Sequence, residues 1–350
     1  MNEQKKALSI PLVASIIAVI LGVVAVGLAL NAKDSKSSST SAPTTMDTMQ
    51  HSSSTMSAEE MDKMMKKPTD KFLELATKKG NVENTQWMEP KILSDGTKEF
   101  DLTASIFDWE VSPGKIVKAW GYNKQVPGPN IRTNIGDKVK IVLKNELKES
   151  TVIHFHGVKG LPNTVDGVPD VTQPPVKPGK SYTYEFTTNE ASVGMYHSHH
   201  NAQVQVPNGL AGTFLVGDMP TPNGEKVAQE IPMMLNDAGT IGLSLNGKSF
   251  PGTKAVVAKE GEYLKVHYLN EGAVIHPMHT HGFEQLVIAR DGAPLKTPYA
   301  ADTVTVAPGE RVTVLIRLTQ KGAWAWHCHI LTHAEGPQGM FGMVTAIVVQ

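Results

Sequence analysis

The chain has 350 residues, with 33 lysines and arginines against 34 aspartates and glutamates, thirteen histidines and one cysteine. The near-neutral balance leaves no basic footprint for nucleic acid. One cysteine excludes an intrachain disulfide framework and any zinc site built from several thiolates. Residues 7–32 carry no charge, and a helix of that length exceeds the ~30 Å hydrocarbon core of a bilayer. Residues 1–32 are therefore expected to form an N-terminal membrane anchor or signal segment. Lys5 and Lys6 would stay in the cytoplasm, and the remainder would be extracytoplasmic, or secreted if the segment is cleaved. Residues 33–80 read as a disordered Ser/Thr/Met-rich stalk, in which Met46, Met49, His51, Met56, Met61, Met64 and Met65 are also soft donors suited to Cu(I). Its end, from Ala58 to Lys79, has a helical apolar pattern that Pro68 is expected to break or kink.

Beyond Asn81 the texture changes to short alternating runs. Val139–Leu143, Tyr182–Phe186, Tyr263–Tyr268 and Val312–Ile316 read as strands, separated by turns such as Pro127-Gly128-Pro129, Pro178-Gly179 and Pro308-Gly309. An internal repeat sets the number of domains. His197-Ser198-His199 and Gly209-Leu210-Ala211-Gly212 match His327-Cys328-His329 and Gly339-Met340-Phe341-Gly342 at an offset of 130 residues. Upstream, His154-Phe155-His156-Gly157 matches His279-Thr280-His281-Gly282 at an offset of 125. Two copies of one β-domain are expected, over 81–220 and 221–350, divided by the turn-rich run Asp218–Gly224.

The repeat sorts the histidines. His154, His156, His197, His199, His279, His281, His327 and His329 form four His-x-His pairs, two in each copy. Residues i and i+2 of a strand point to one face, so each pair can aim two imidazoles at one place, as a copper cluster requires. A second set exists only in the C-terminal copy. His276, Cys328, His333 and Met340 stand where the first copy has Thr151, Ser198, Gln203 and Leu210. Two imidazoles, a thiolate and a weak axial thioether make a blue-copper electron-transfer site. His51, His200 and His267 fall outside both sets and read as solvated or hydrogen-bonded histidines, with His200 placed to orient His199.

With these motifs in place, the chain resembles a two-domain, laccase-like multicopper oxidase over residues from about 100 to 350. The resemblance rests on His154-Phe155-His156-Gly157, His197-Ser198-His199, His276-Pro277-Met278-His279-Thr280-His281 and His327-Cys328-His329-Ile330-Leu331-Thr332-His333. It implies an all-β fold of two tandem cupredoxin-like Greek-key sandwiches and four coppers per chain. Type 1 copper would lie at His276, Cys328 and His333 with Met340 axial. Type 2 would lie at His154 and His279, and the type 3 pair at His156, His197, His199, His281, His327 and His329. The family spacing from the second type 1 histidine falls on Gln338, whereas the gapless repeat favours Met340. Met343 and Gln338 stay open as axial ligands.

The resemblance further implies that single electrons from a small-molecule or metal-ion donor reduce dioxygen to water. Two-domain relatives close a ring of three chains with a cluster at each interface, so a homotrimer is expected. Asp166, ten residues after His156, is the expected proton relay, and Glu335 is a second candidate. Two alternatives share the copper sites: a Cu(I) or Fe(II) metallo-oxidase, and a copper-containing nitrite reductase. The latter family carries type 1 copper in its first domain, where this chain has Ser198.

Overall fold

A computed structural model describes residues 56–77 and 87–350. Residues 7–32 and the stalk as far as residue 55 lie outside the described residues, and with them the expected anchor, Met46, Met49 and His51. Among the described residues no helix is long and apolar enough to cross a membrane.

Helix α1 spans Ala58–Thr77 and begins at a reciprocal cap. The Ser57 hydroxyl accepts the Glu60 N–H at 3.2 Å while the Glu60 carboxylate accepts the Ser57 N–H at 2.8 Å. The helix runs through Pro68 rather than ending there. The proline forfeits one helical hydrogen bond, but it is buried on the same face as Phe72 and Leu75. That face packs on Phe250, Ala255, Ala334, Val344 and Ala346 of the second sandwich. Burying two large apolar side chains contributes roughly 1.5–3 kcal/mol each, enough to hold an interrupted helix in place.

The rest of the described chain is mostly β and forms two sandwiches of the cupredoxin type. In the first, strands Lys98–Ser112, Lys138–Asn145 and Ser181–Thr187 build one sheet. Strands Gly128–Thr133, Ala211–Val216, Ser192–His197 and His154–His156 build the other. The second sandwich repeats this. Val227–Asn236, Tyr263–Asn270, Arg311–Arg317 and Gln285–Arg290 share one sheet. Val344–Val349, Gly322–Cys328, His276–Thr280 and Thr303–Val306 share the opposing one.

Strand Lys138–Asn145 alternates between buried and open positions, as a sheet with one wet face should. Tyr263–Asn270 and Arg311–Arg317 do not alternate, because their sheet is covered on both sides. Its outer face meets the first sandwich. Val193 and Leu215 pack with Ile288, Ala289 and Leu315, and Met195 and Ala211 pack with Met234 and Leu269.

Candidate metal centres

Strand register brings the paired histidines together. His154 lies opposite His197 on antiparallel strands of the first sandwich, and His279 lies opposite His327 in the second. Two His-x-His pairs on neighbouring strands then converge on one face. In the first sandwich the His154 ring centroid is 5.7 Å from that of His156, 5.2 Å from His197 and 5.3 Å from His199. In the second, His279 is 4.9, 5.5 and 5.5 Å from His281, His327 and His329. Nitrogens of His154, His156 and His197 lie within 4.8 Å of one another, as do those of His279, His281 and His327.

Backbone carbonyls fix the tautomers in the same way in both copies. His154 Nδ1 meets the Asp166 carbonyl at 2.6 Å, and His279 Nδ1 meets that of Asp302 at 3.0 Å. His197 and His327 each turn Nδ1 to the carbonyl of the next residue at 2.9 Å. Nε2 of all four is thereby left with its lone pair for a cation. The inner nitrogens already face each other, 3.3 Å apart for His156 and His197 and 3.1 Å for His281 and His327. Burial holds His156 down to about 4, with the Arg311 guanidinium adding to the effect, and burial lowers His154, His197, His281 and His327 as well. Neutral imidazoles at these positions suit copper.

The third group lies in the second sandwich. His276 opens its strand, Cys328 ends the neighbouring one, and His333 sits in the short helix Leu331–Ala334. Cys328 Sγ is 3.7 Å from His276 Nδ1 and 3.6 Å from His333 Nδ1. Alternation sends Cys328 into the core beside Met278 while His327 and His329 face the cluster side. Burial pushes the Cys328 thiol up to about 11 and His276 down to about 4. A buried thiol of that kind ionises when a soft cation takes the proton's place. The donor set therefore fits a copper ion. Met340 is partly buried on the hairpin formed by Glu335–Gly336 and Gly339–Met340, Gln338 and Glu335 are exposed on it, and Met343 is buried in the core that holds Cys328. His276 is sealed and His333 is half-buried, and Val274 and Ile275 just before the one and Leu331 and Phe341 on either side of the other in sequence are exposed.

The corresponding place in the first sandwich is closed by hydrogen bonds. Thr151 and Ser198 hydroxyls donate to Gln205 Oε1 at 2.8 and 2.6 Å, and Gln205 Nε2 donates to Glu149 at 2.6 Å. The repeat points to Gln203, and the residue that fills the gap is Gln205, because the short helix Ala202–Gln205 turns it inward. Asp166 stands beside the first imidazole set, its carboxylate 3.4 Å from His154 Nδ1. His267 is buried between Glu230 at 2.9 Å and Thr313 at 2.9 Å. His200 Nδ1 is buried without a hydrogen-bond partner, so no orienting bond to His199 is made there. Asp237, unmarked by any motif or repeat, lies against His276.

Two sequence models described as multicopper oxidase match residues 106–221 and 221–348. The chain belongs to the multicopper oxidase family. Among solved structures, the multicopper oxidase mgLAC is 36% identical with a TM-score of 0.67, covering 72% of this chain and 86% of its own. The blue copper oxidase of Nitrosomonas europaea is 30% identical with a TM-score of 0.67, covering 72% and 85%. Among curated relatives, the multicopper oxidase mco of Staphylococcus epidermidis is 30% identical over 66% of this chain and 56% of its own length. The oxidoreductase tpcJ of Aspergillus fumigatus is 29% identical over 66% and 44%. The chain thus spans about half the length of these curated relatives.

Proposed function

We propose that this multicopper oxidase is laccase-like: it takes single electrons from an organic donor at the His276–Cys328–His333 group and delivers four of them to dioxygen, with four protons, to give two waters. The observation that carries this reading is strand Gly322–Cys328, which ends with Cys328 in one group and His327 in the other. One peptide unit separates the two. Bound copper would supply the one-electron couple and the dioxygen chemistry, at four ions per chain.

The protein's own residues do the rest. His333 offers the half-buried edge, and the exposed apolar side chains near it and His276 in sequence, Leu331, Phe341, Val274 and Ile275, suit an apolar donor. Burial of His276 and Cys328 keeps water from the sulfur. Asp166 is the group beside the imidazole set that can hold and pass a proton. Met340 would be a further donor to copper held by that group, since the repeat aligns it without a gap. In this reading residues 1–32 anchor the oxidase so that it works outside the cytoplasm.

Among the described residues, no ring contact or hydrogen bond joins the first imidazole set to the second. The eight histidines would therefore come together between chains, in a closed ring of three. A second reading, oxidation of Cu(I), is favoured by helix α1, where Met64 and Met65 are partly buried one turn before Pro68. A nitrite reductase is not favoured, because Thr151, Ser198 and Gln205 occupy the place its first-domain copper would take.

Dioxygen uptake with a phenol, Cu(I), Fe(II) and hydroxylamine offered separately, beside nitrite reduction, tests the proposal. Fastest turnover with the phenol, water as product and four coppers per chain are expected. Nitrite reduction without dioxygen uptake would overturn it, and Cu(I) outpacing the phenol would replace it with the second reading.

A further inference from the structure

Asp237 follows strand Val227–Asn236 and belongs to none of the histidine motifs. Its side chain is 6% exposed, and its carboxylate is held by two backbone donors: the Ala273 N–H at 2.8 Å to Oδ1 and the Val274 N–H at 2.9 Å to Oδ2. The same Oδ2 lies 3.1 Å from Nε2 of the fully buried His276, although the N–H does not point straight at it. The opposite ring nitrogen, Nδ1, is the one that faces Cys328 Sγ.

Gly272 keeps this pair together. A Cβ placed there would lie 2.9 Å from Asp237 Oδ2 and 2.9 Å from His276 Nε2.

We propose that Asp237 is a positioning residue for the His276–Cys328–His333 centre: it holds the proton of His276 on Nε2, presents Nδ1 toward the sulfur, and lowers the reduction potential of a metal bound there. The reason is electrostatic. A carboxylate on the far side of a ligating imidazole raises the ring's basicity and favours the more positive state of the metal. The proposal rests on the copper reading of this group, and its test separates the two.

Copper content and the blue absorption of the wild-type protein check the copper reading by themselves. Asp237→Asn, which keeps the shape and one acceptor oxygen, is then compared by redox titration of the blue band. The expected result is about a tenfold shift of the reduced-to-oxidised ratio toward reduced at fixed ambient potential, or about 59 mV for a one-electron couple. Gly272→Ala leaves the carboxylate in place but wedges the pair apart, and should shift the ratio in the same direction. In the metal-free protein, the ¹⁵N resonances of His276 should report a proton fixed on Nε2, and Asp237→Asn should mix the tautomers. Unchanged potentials in both variants, with unchanged His276 resonances and only a lower melting temperature, would overturn the proposal and leave Asp237 as an anchor of the 271–275 loop.

Discussion

Cys328 shows how much one side chain can carry when its strand has two functional faces. Its own face is core, and the residues on either side belong to an imidazole set. Cys328→Ser removes the soft ligand while leaving His327 and His329 where they are. The blue absorption should vanish, copper should fall by one ion per chain, and dioxygen uptake should drop by more than roughly 100-fold, beyond the upper range of outer-shell losses. Absorption spectroscopy with copper analysis checks this. At this scale the sequence was informative where chemistry and spacing coincide, as in the His-x-His pairs. It was silent on Asp237, which reaches His276 from just beyond a distant strand, and it misplaced the first-domain glutamine by two residues. Constant offsets assume equal loops, and the short helix Ala202–Gln205 alters the phase.

Among the elements, the strands were legible in proportion to how one-sided their burial is. Tyr263–Asn270 is buried along nearly its full length, so alternation could not show which face is which. Helix α1 was visible as an apolar period, but its destination was not. Its buried face lies against Ala334, next to His333, and Pro68 lies so close to Gly339 that a Cβ there would not fit. Phe72→Ala should therefore cost about 3 kcal/mol of unfolding free energy in a denaturant titration. It should also loosen the hairpin that carries Met340, seen as broadening of the blue band. No loss of stability would mean that the helix merely rests on the surface.

For the molecule as a whole, the junction between the sandwiches sets the pH response. Glu271 is partly buried there with its Oε1 sealed from solvent, and desolvation pushes its carboxyl up to about 8, with the Arg311 charge opposing. Its Oε1, Asn236 Oδ1 and Ser244 Oγ lack hydrogen-bond partners and line one small cavity between the copies. The folded chain binds this proton more tightly than the unfolded chain, so the contribution is full below pH ~4.5 and is lost as pH rises toward 8. Glu271→Gln should abolish that loss, raising stability by on the order of 4 kcal/mol at pH 8 relative to its effect at pH 4. Thermal melts across pH measure it, and parallel curves for the two proteins would refute it. Glu230 acts at the acid end. Burial opposes its ionisation, but the His267 hydrogen bond and the Arg132 and Lys265 charges outweigh burial and hold it at about 2, so its contribution fades between pH 4.5 and 2. None of this was legible from net charge, because it depends on which carboxyl the second sandwich buries against the first.

The separation of the two imidazole sets makes the proposed ring testable by genetics as well as by light scattering. A chain lacking His154 and a chain lacking His327 would each be inactive alone. Mixed during assembly, they would pair one chain's sound first half with the other's sound second half at about a quarter of the junctions, and dioxygen uptake would return to that extent. Chains that complete their own clusters could not rescue one another.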